Sequence, residues 1–489
     1  MDKWDNIYKK DYQRISVFVG DNETELNFGW LSLTSSTPAI RYGYADDDVE
    51  SYQLYKGIID GERMISGVQY YSNKVTIKGL KPETSYKYQR LLNNVWEEPV
   101  EFNTQKRDSF SFVFVGDPQI GGSVNVKSFI HPDIGLNYDE AVRNDAFNWN
   151  MTVYQAFQMA GNPSLILSAG DQIDAFARPL NKDEANNAVL VENYEKELLI
   201  QEDSFSGFLL PDILKTVPSA TCVGNHEIYT ESYKQHFNTP NSFISPYKFR
   251  DSDSFIPGYN YFFKYNNVLV VVLETNKHYC DDFNMVVRKA IEKYPNTEWR
   301  IAMFHHDIFG NGQYHSQEYK IKYYLRPCLT KLFSDNKFDL VITGHDHIHA
   351  SSYFIKYSNK NYDYNTKYKV GSIKKGEDKI NTNPNGTLYI TANCATASKL
   401  YVEHENLTEF DFINFSRQTF TSNFGLLNFE DKGDNVRLTI NVFEANTYNV
   451  VDGPYIIEKS KRTSYDGLSK PKIIDKQPPD VIIIFDLII

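Results

Sequence analysis

The chain has 489 residues, of which 51 are Lys or Arg and 63 are Asp or Glu, so its formal charge is −12. At about 150 residues per domain, this length predicts two or three domains. A composition that is 41% hydrophobic and 15% aromatic suffices for a packed core and excludes wholesale disorder. The acidic balance argues against a nucleic-acid-binding surface, and no run reaches the ~18 apolar residues of a membrane span.

The cysteines and the first residues carry little information about the cell compartment. Cys222, Cys280, Cys328 and Cys394 are scattered and form no C-x-x-C pair, so we predict no disulfide framework and interpret them mainly as buried apolar residues. Residues 1–5 lack the basic and apolar regions of a signal peptide. A cytoplasmic protein and an exported protein whose leader was removed both stay open.

Residues 10–106 predict a small all-β sandwich, because short alternating segments are separated by turn residues. The clearest segments are 14–19, 26–31 and 75–77. Strands at this spacing are typical of a sandwich. The string Leu80-Lys81-Pro82-Glu83-Thr84-Ser85-Tyr86 resembles the L-x-P-x-T-x-Y corner of fibronectin type III modules. An ordinary proline turn with a buried Tyr86 is the plainer interpretation.

From residue 108 onward, short apolar runs alternate with longer helical stretches, which predicts an α/β (α+β layered) domain with central β-sheets flanked by helices. The predicted strands are 112–115, 165–167, 221–223, 268–273, 301–304, 340–342, 388–391, 424–429 and 436–442. The predicted helices are 139–160, 186–200, 281–294 and 317–333. We expect a polar surface excursion at 358–385 and a hairpin turn at 430–434. This domain is assigned 108–475, and 476–489 is an unassigned tail.

Polar residues directly follow five of the predicted strands, usually after a glycine. The endings are Gly116-Asp117, Gly170-Asp171, Gly224-Asn225-His226-Glu227, His305-His306-Asp307 and Gly344-His345-Asp346-His347. Ligand sites in α/β sheets form beyond the carboxyl ends of strands, and glycine allows a sharp turn there. We therefore expect the five endings to converge on one edge of one sheet.

The side chains at these endings predict a metal site. Five of the eleven histidines lie there, together with carboxylates and a carboxamide. This set without thiolate suits Mn, Fe or Zn in hydrolytic sites. The groups outnumber the ligands of one tetrahedral ion, so we predict two divalent or trivalent ions that share a carboxylate and a bridging hydroxide. For each residue taken singly, a cap or turn role at a strand exit is the alternative.

The order of these strings resembles that of the calcineurin-like metallophosphoesterases. With the sandwich in front, the chain is most similar to purple acid phosphatases and their bacterial relatives, over about residues 10–475. The resemblance implies these ligands: Asp117 and His347 for the first ion, Asn225, His305 and His345 for the second, and Asp171 as the bridge. It also implies that His226 lies beside the substrate phosphate, as leaving-group acid or transition-state stabiliser.

Two positions depart from the family pattern. Gln119 stands where calcineurin-like enzymes usually have His, and Asp174 stands where purple acid phosphatases have the tyrosine that binds ferric iron. We therefore expect a colourless enzyme that uses Mn, Fe(II) or Zn. For Gln119 and Asp174 three roles stay open: each is a weak metal ligand, a group that contacts the ligands without binding metal, or neither. His306 and His315 are further catalytic candidates, with packing and a solvated loop as their respective alternatives.

We predict a phosphomonoesterase that acts on a small phosphorylated substrate with a metal-bridging hydroxide. The same metal core would also support a phosphodiesterase or a nucleotide hydrolase. A hypothesis of another class, kept open by Gln119, is a binding or adhesion protein with an inactive hydrolase domain. The fibronectin-like module favours an extracellular or cell-envelope location. The oligomeric state is not predicted.

Overall fold

The computed structural model describes residues 4–127, 133–175, 184, 187–228, 232–247, 256, 258–358, 368–404 and 409–461. The predicted tail at 476–489 lies outside these residues. Within them, a β-sandwich is followed by a domain of two facing sheets with flanking helices, as the sequence predicts. None of the helices in this part of the chain combines the length and the apolar composition that a membrane crossing requires.

The first part of the chain forms the sandwich. Its strands are β1 (Ser16–Val19), β2 (Glu25–Ser32), β3 (Ala39–Tyr44), β4 (Gln53–Lys56), β5 (Ile58–Ile65), β6 (Val68–Lys78), β7 (Ser85–Leu92), β8 (Val95–Trp96) and β9 (Val100–Asn103). One layer contains β1, β2, β6 and β5, and the other contains β4, β3, β7 and β8, with β9 paired to β7. Phe28 and Trp30 pack between the layers. At the predicted corner, the Tyr86 hydroxyl accepts a hydrogen bond from the backbone N–H of Lys81 at 2.9 Å, which fixes the turn before β7.

The second part of the chain supplies the remaining elements. Its strands are β10 (Ser109–Val115), β11 (Leu165–Ser168), β12 (Ser219–Thr221), β13 (Tyr261–Tyr265), β14 (Val268–Val272), β15 (Trp299–Met303), β16 (Leu340–Thr343), β17 (His349–Ser352), β18 (Ile355–Tyr357), β19 (Tyr368–Val370), β20 (Ile380–Thr382), β21 (Leu388–Thr391), β22 (Ile413–Arg417), β23 (Asn423–Lys432), β24 (Asn435–Glu444) and β25 (Val450–Ser460). Its helices are α1 (Tyr138–Ala160), α2 (Ala188–Phe208), α3 (Ser232–His236), α4 (Cys280–Lys293) and α5 (Arg326–Asp335).

Two sheets face each other across a shared core. One has the strand order β20-β25-β24-β23-β10-β11-β12-β1-β2-β6-β5, and the other has the order β13-β14-β15-β16-β21-β17-β22. Apolar side chains from both sheets, such as Phe112 and Ile301, fill the space between them. β1 pairs in parallel with β12 at Phe18 and Ser219, so the first sheet continues from the sandwich into the second domain.

Helices cover the outer faces of both sheets. On the first sheet, Trp149 of α1 stacks on Phe208 of α2 with ring centroids 5.3 Å apart. On the second sheet, α4 and α5 bury Val287 and Phe333. The parallel strands β10 to β12 and β14 to β16 are therefore covered on both faces. This burial explains why they appear in the sequence as short continuous apolar runs.

The prediction that all five polar strand endings share one sheet was wrong. β10, β11 and β12 belong to the first sheet, whereas β15 and β16 belong to the second. The pattern of apolar residues reports that a strand is buried, but it does not report which sheet the strand joins. The endings still meet, because the backbone N–H of His345 after β16 donates to the carboxylate of Asp117 after β10 at 2.9 Å.

The interpretation of the cysteines was wrong for two of the four. Cys280 of α4 and Cys328 of α5 form a disulfide, whereas Cys222 and Cys394 are free and buried. The bonded pair is separated by 48 residues in the sequence. Only the packing of α4 beside α5 brings these two cysteines together, and spacing alone does not reveal that packing.

Several predicted boundaries also shift. The second helix begins at Ala188 and continues to Phe208, and the strand expected at 221–223 ends at Thr221. The helix expected at 317–333 divides into a π-helical turn, Ile321–Leu325, and α5. The turn expected at 430–434 contains only residues 433 and 434, because β23 and β24 extend towards each other. The excursion at 358–385 contains β19 and β20 where the structure describes it.

Candidate metal centre

The loops at the carboxyl ends of the strands contain an unusual concentration of strained backbone. Five of the predicted site residues have a positive φ: Asp117 (45°), Gln119 (43°), Asp171 (47°), His345 (72°) and His347 (47°). Residues other than glycine rarely adopt this region, and each such residue costs on the order of 1–3 kcal/mol. Strain of this kind persists where the surrounding structure enforces it, and it is typical of functional sites.

Glycines let the acidic side chains lie directly against neighbouring loops. A Cβ on Gly224 would lie 1.9 Å from Oδ1 of Asp171. A Cβ on Gly344 would lie 2.4 Å from Oδ2 of Asp117. Any larger residue would displace the carboxylate, so these two glycines are needed for close approach.

Four ligand-type atoms converge at His305. Its Nε2 lies 3.2 Å from Oδ2 of Asp171, 3.0 Å from Oδ1 of Asn225 and 3.1 Å from Nδ1 of His345. Its Nδ1 donates to the carbonyl of Ala169 at 2.9 Å, which fixes the ring and directs Nε2 at the other three groups. Metal-binding histidines are commonly oriented in this way.

A second group of possible ligands shares Asp171 with the first. Nε2 of His347 lies 3.3 Å from Oδ1 of Asp117. Ligand atoms of Asp117, Asp171 and His347 all lie within 4.8 Å of one another, and so do those of Asp171, His305 and His345. Asp171 is thus common to two groups of three.

Burial and charge act in opposite directions within the cluster. Burial alone would raise the pKa of Asp171, but the imidazoles of His305 and His226 bring it below its ordinary value. Burial lowers the pKa of His305, yet Asp171 outweighs this effect and raises it to about 10. A cation that binds Nε2 of His305 would therefore release a proton.

Glu227 connects two of the loops. Its carboxylate accepts hydrogen bonds from the backbone N–H groups of Gly224 at 2.7 Å, Asp171 at 3.2 Å and Ile173 at 3.1 Å. Burial and the nearby charge of Asp171 raise the pKa of Glu227 to about 8. The sequence analysis left the last residue of the Gly-Asn-His-Glu string without a role, and the structure shows that it holds the Asp171 loop against the Asn225 loop.

The residues present fit metal ions. Oε1 of Gln119 and Nδ1 of His347 are buried polar atoms with no hydrogen-bond partner in the described part of the chain. Buried groups in this state normally contact a water or an ion. Carboxylates, imidazoles and a carboxamide are also the ligands that suit Mn, Fe or Zn. Gln119 adjoins the cluster, because its backbone N–H donates to the carbonyl of Asp171 at 2.8 Å.

The three histidines predicted to be catalytic, His226, His306 and His315, all border the cluster. Nδ1 of His226 donates to the backbone carbonyl of Asp174 at 2.5 Å. The rings of His306 and His315 lie beside His345, at centroid distances of 4.7 and 4.4 Å. His306 therefore does not point away from the site, and His315 is not a freely solvated loop residue.

Hydrogen bonds hold the latter two histidines in place. Nδ1 of His306 lies 2.9 Å from Oγ1 of Thr275. Nδ1 of His315 lies 2.8 Å from Oδ1 of Asp346, whose Oδ2 accepts from the backbone N–H of Gly312 at 2.6 Å. Burial raises the pKa of Asp346 to about 7. Each ring is thus fixed through one nitrogen.

The sequence analysis missed the loop that follows β21. In this loop, the ring of Tyr401 stacks on His347 at a centroid distance of 4.4 Å and an angle of 3°. The ammonium of Lys399 forms an ion pair with the carboxylate of Asp174. Neither group of possible ligands, within the described residues, includes Asp174. The loop could have been noticed, because polar residues, among them Asn393 and Thr396, begin two residues after the predicted strand at 388–391.

Comparison with known proteins shows the family and the fold of the chain. The family model for calcineurin-like phosphoesterases matches residues 110–349, and the model for the purple acid phosphatase N-terminal domain matches residues 12–104. The solved purple acid phosphatase PPD1 from yellow lupin (Lupinus luteus) seeds shares the fold at a TM-score of 0.57 and 16% identity, over 92% of this chain and 74% of that chain. An amylomaltase from Corynebacterium glutamicum, 16% identical over 39% of this chain and 29% of its own, has a TM-score of only 0.15 and carries no argument. No curated protein matches the chain.

The fold and the acid- and histidine-rich cluster define a metal-dependent phosphoesterase. The chain belongs to the calcineurin-like metallophosphoesterases and is purple-acid-phosphatase-like in its two-part architecture. Membership in this family implies a dinuclear metal centre.

Proposed function

We propose that the protein is a phosphomonoesterase with two metal ions bound at the described cluster. The proposed ligands are Asp117 and His347 for one ion, Asn225, His305 and His345 for the other, and Asp171 for both. The observation that carries this proposal is that Asp171 belongs to both groups of possible ligands, as a bridging carboxylate must. The metals would be Mn, Fe or Zn, because the possible ligands among the described residues are carboxylates and imidazoles without a thiolate.

The ions and the surrounding side chains would divide the chemistry. When bound, two ions supply Lewis acidity that activates water and neutralises phosphoryl oxygens. Nδ1 of His226 donates to the carbonyl of Asp174, so Nε2 is the nitrogen left to act on substrate, and the imidazolium form of the ring can give its Nε2 proton to the leaving alcohol. Nδ1 of His315 contacts Asp346, so Nε2 is the nitrogen left for substrate, and it donates to a phosphoryl oxygen when the ring carries a proton there.

The test is hydrolysis of p-nitrophenyl phosphate and of its bis-ester by protein that has been stripped with chelator and then supplied separately with Mn, Fe(II) or Zn. We expect monoester turnover that returns with metal and is lost in Asp171→Ala. Asp212→Ala is the matched control, because its side chain is 90% exposed and lies in a surface turn. It should retain activity.

Two results would count against the proposal. A higher kcat/KM for the bis-ester would reassign the protein as a phosphodiesterase with the same metal core. No turnover of either ester with any metal would overturn the phosphomonoesterase and favour a binding protein with an inactive hydrolase domain.

A further inference from the structure

The loop after β21 is fastened to the loop that carries Asp117. The thiol of Cys394 donates to the backbone carbonyl of Asp117 at 3.1 Å. The hydroxyl of Thr396 donates to the carbonyl of Pro118 at 2.7 Å. Both donors are buried, so these contacts are shielded from water. These contacts therefore fix the position of the loop, and of the residues that follow Thr396, relative to the metal centre.

Lys399 leaves this loop beside Asp174, which also adjoins His226. Its Nζ pairs with Oδ1 of Asp174, and the same oxygen lies 3.8 Å from Nδ1 of His226. The side chains of Lys399, Asp174 and His226 are 32%, 21% and 19% exposed. The backbone N–H of His226 in turn donates to Oδ1 of Asp171 at 3.1 Å. The ammonium group of Lys399 is thus linked to the proposed bridging ligand through three successive contacts, and the side chains along this path above Asp171 are partly exposed.

The ion pair with Asp174 can keep the ammonium group of Lys399 in position until substrate binds. Partly exposed ion pairs are weak, so Lys399 can exchange Asp174 for another anion without a large penalty. The four-carbon side chain of lysine is flexible and places a compact charge that is well suited to phosphate oxygens.

We propose that Lys399 determines specificity by binding a non-bridging oxygen of dianionic phosphomonoesters, and that Asp174 positions it. A phosphomonoester carries a charge of about −1.5 to −2 at pH 7, whereas a diester carries only one negative charge. Lys399 would therefore favour monoesters over diesters. This inference rests on the proposed function and adds to it the residue that selects the substrate class.

The first experiment compares Lys399→Gln with the wild type on p-nitrophenyl phosphate and its bis-ester. A charge-assisted hydrogen bond contributes a factor of roughly 10–100, so kcat/KM for the monoester should fall by about that factor, mainly through KM. The value of kcat/KM for the bis-ester should change by less than about threefold. The variant Lys399→Arg should retain part of the monoester activity that Lys399→Gln loses. Lys356→Gln is the control, because Lys356 lies on β18 and pairs with Asn385.

Metal content separates the proposed role from a structural one. Lys399→Gln should retain the wild-type number of metal ions per chain. Asp174→Asn should also retain them. It should show part of the monoester defect, because it removes the carboxylate that positions Lys399. Loss of a metal ion from Asp174→Asn would identify Asp174 as a ligand and overturn the inference.

The outcomes distinguish this inference from the proposed function. Suppose that the wild type hydrolyses the monoester, but Lys399→Gln lowers kcat/KM for both esters by the same factor or for neither. The inference then fails and the proposed function stands. If the wild type hydrolyses neither ester, the function fails, and calorimetric titration of Mn-loaded protein with inorganic phosphate still tests Lys399. A Kd at least tenfold weaker in Lys399→Gln supports the inference, whereas an unchanged Kd overturns it.

Discussion

Gly224→Ala tests whether the position of the Asp171 carboxylate is as constrained as the structure indicates. The new methyl group would lie 1.9 Å from Oδ1 of Asp171, whereas ordinary contacts begin at 3.4 Å. The carboxylate would have to retreat by 3.4 − 1.9, or about 1.5 Å. Metal–ligand distances are expected to stay within about 0.2 Å of their usual values, so Asp171 could no longer serve both groups of ligands.

The expected effect is large. A misplacement of about 1 Å can lower activity on the order of 100-fold, which corresponds to roughly 2.7 kcal/mol of transition-state stabilisation. We therefore expect Gly224→Ala to lose at least about two orders of magnitude in kcat/KM and to bind fewer metal ions per chain. Kinetics on p-nitrophenyl phosphate and plasma mass spectrometry of the desalted protein measure the two effects.

Gly43→Ala is the matched control for steric damage. Its Cβ would lie 2.5 Å from the ring of Tyr52, in the sandwich and outside the cluster. This variant should lower the free energy of unfolding and leave the metal content of the folded protein unchanged. The reasoning is refuted if Gly224→Ala retains two ions and keeps kcat/KM within about threefold of the wild type.

Three other perturbations address the packing and the metals. Burial would raise the pKa of Asp452, but hydrogen bonds from His349 and Lys375 hold it well below its usual range. The resulting stabilisation is complete above the ordinary carboxyl pKa of about 3.9 and is lost as the pH falls through the lower folded value. Asp452→Asn should therefore lower the free energy of unfolding by about 3 kcal/mol at pH 7 and by less in acid, and urea titrations that show equal losses at pH 7 and pH 3 would contradict this. Reduction of the disulfide between Cys280 and Cys328 should lower the free energy of unfolding by up to about 4 kcal/mol. The stability of Cys280→Ser should not change when reductant is added. If reductant leaves the urea midpoint of the wild type unchanged, the disulfide adds no stability. Iron-loaded protein should lack a visible tyrosinate band because Asp174 replaces the tyrosine, and an absorption maximum in that region would disprove this.

The strand endings were predictable because their signal is local. Each polar string follows its own apolar run, so the loops that carry Asp117, Asp171 and His305 could be located without knowledge of the sheet order. The parallel pairing of β10 to β12 then brings three of these endings together. The general rule for ligand sites at carboxyl ends of strands was sufficient for this part of the site.

The remaining features depend on contacts between distant parts of the chain. Lys399 and Asp174 are 225 residues apart, and nothing near either residue marks the other as its partner. The disulfide and the division of the strand endings between two sheets are of the same kind, because tertiary packing decides them. The loop that contains Lys399 was missed in the sequence analysis, although polar residues do follow the predicted strand at 388–391.

The claim that Asp171 joins two metal ions is tested most directly by crystallography of the Mn-loaded protein, with anomalous difference maps recorded for the wild type and for Asp171→Asn. The structure predicts two anomalous peaks about 3.5–4 Å apart, one on each side of the Asp171 carboxylate, and loss of at least one peak in the variant. A single peak in the wild type, or two peaks that persist unchanged in the variant, would contradict the account.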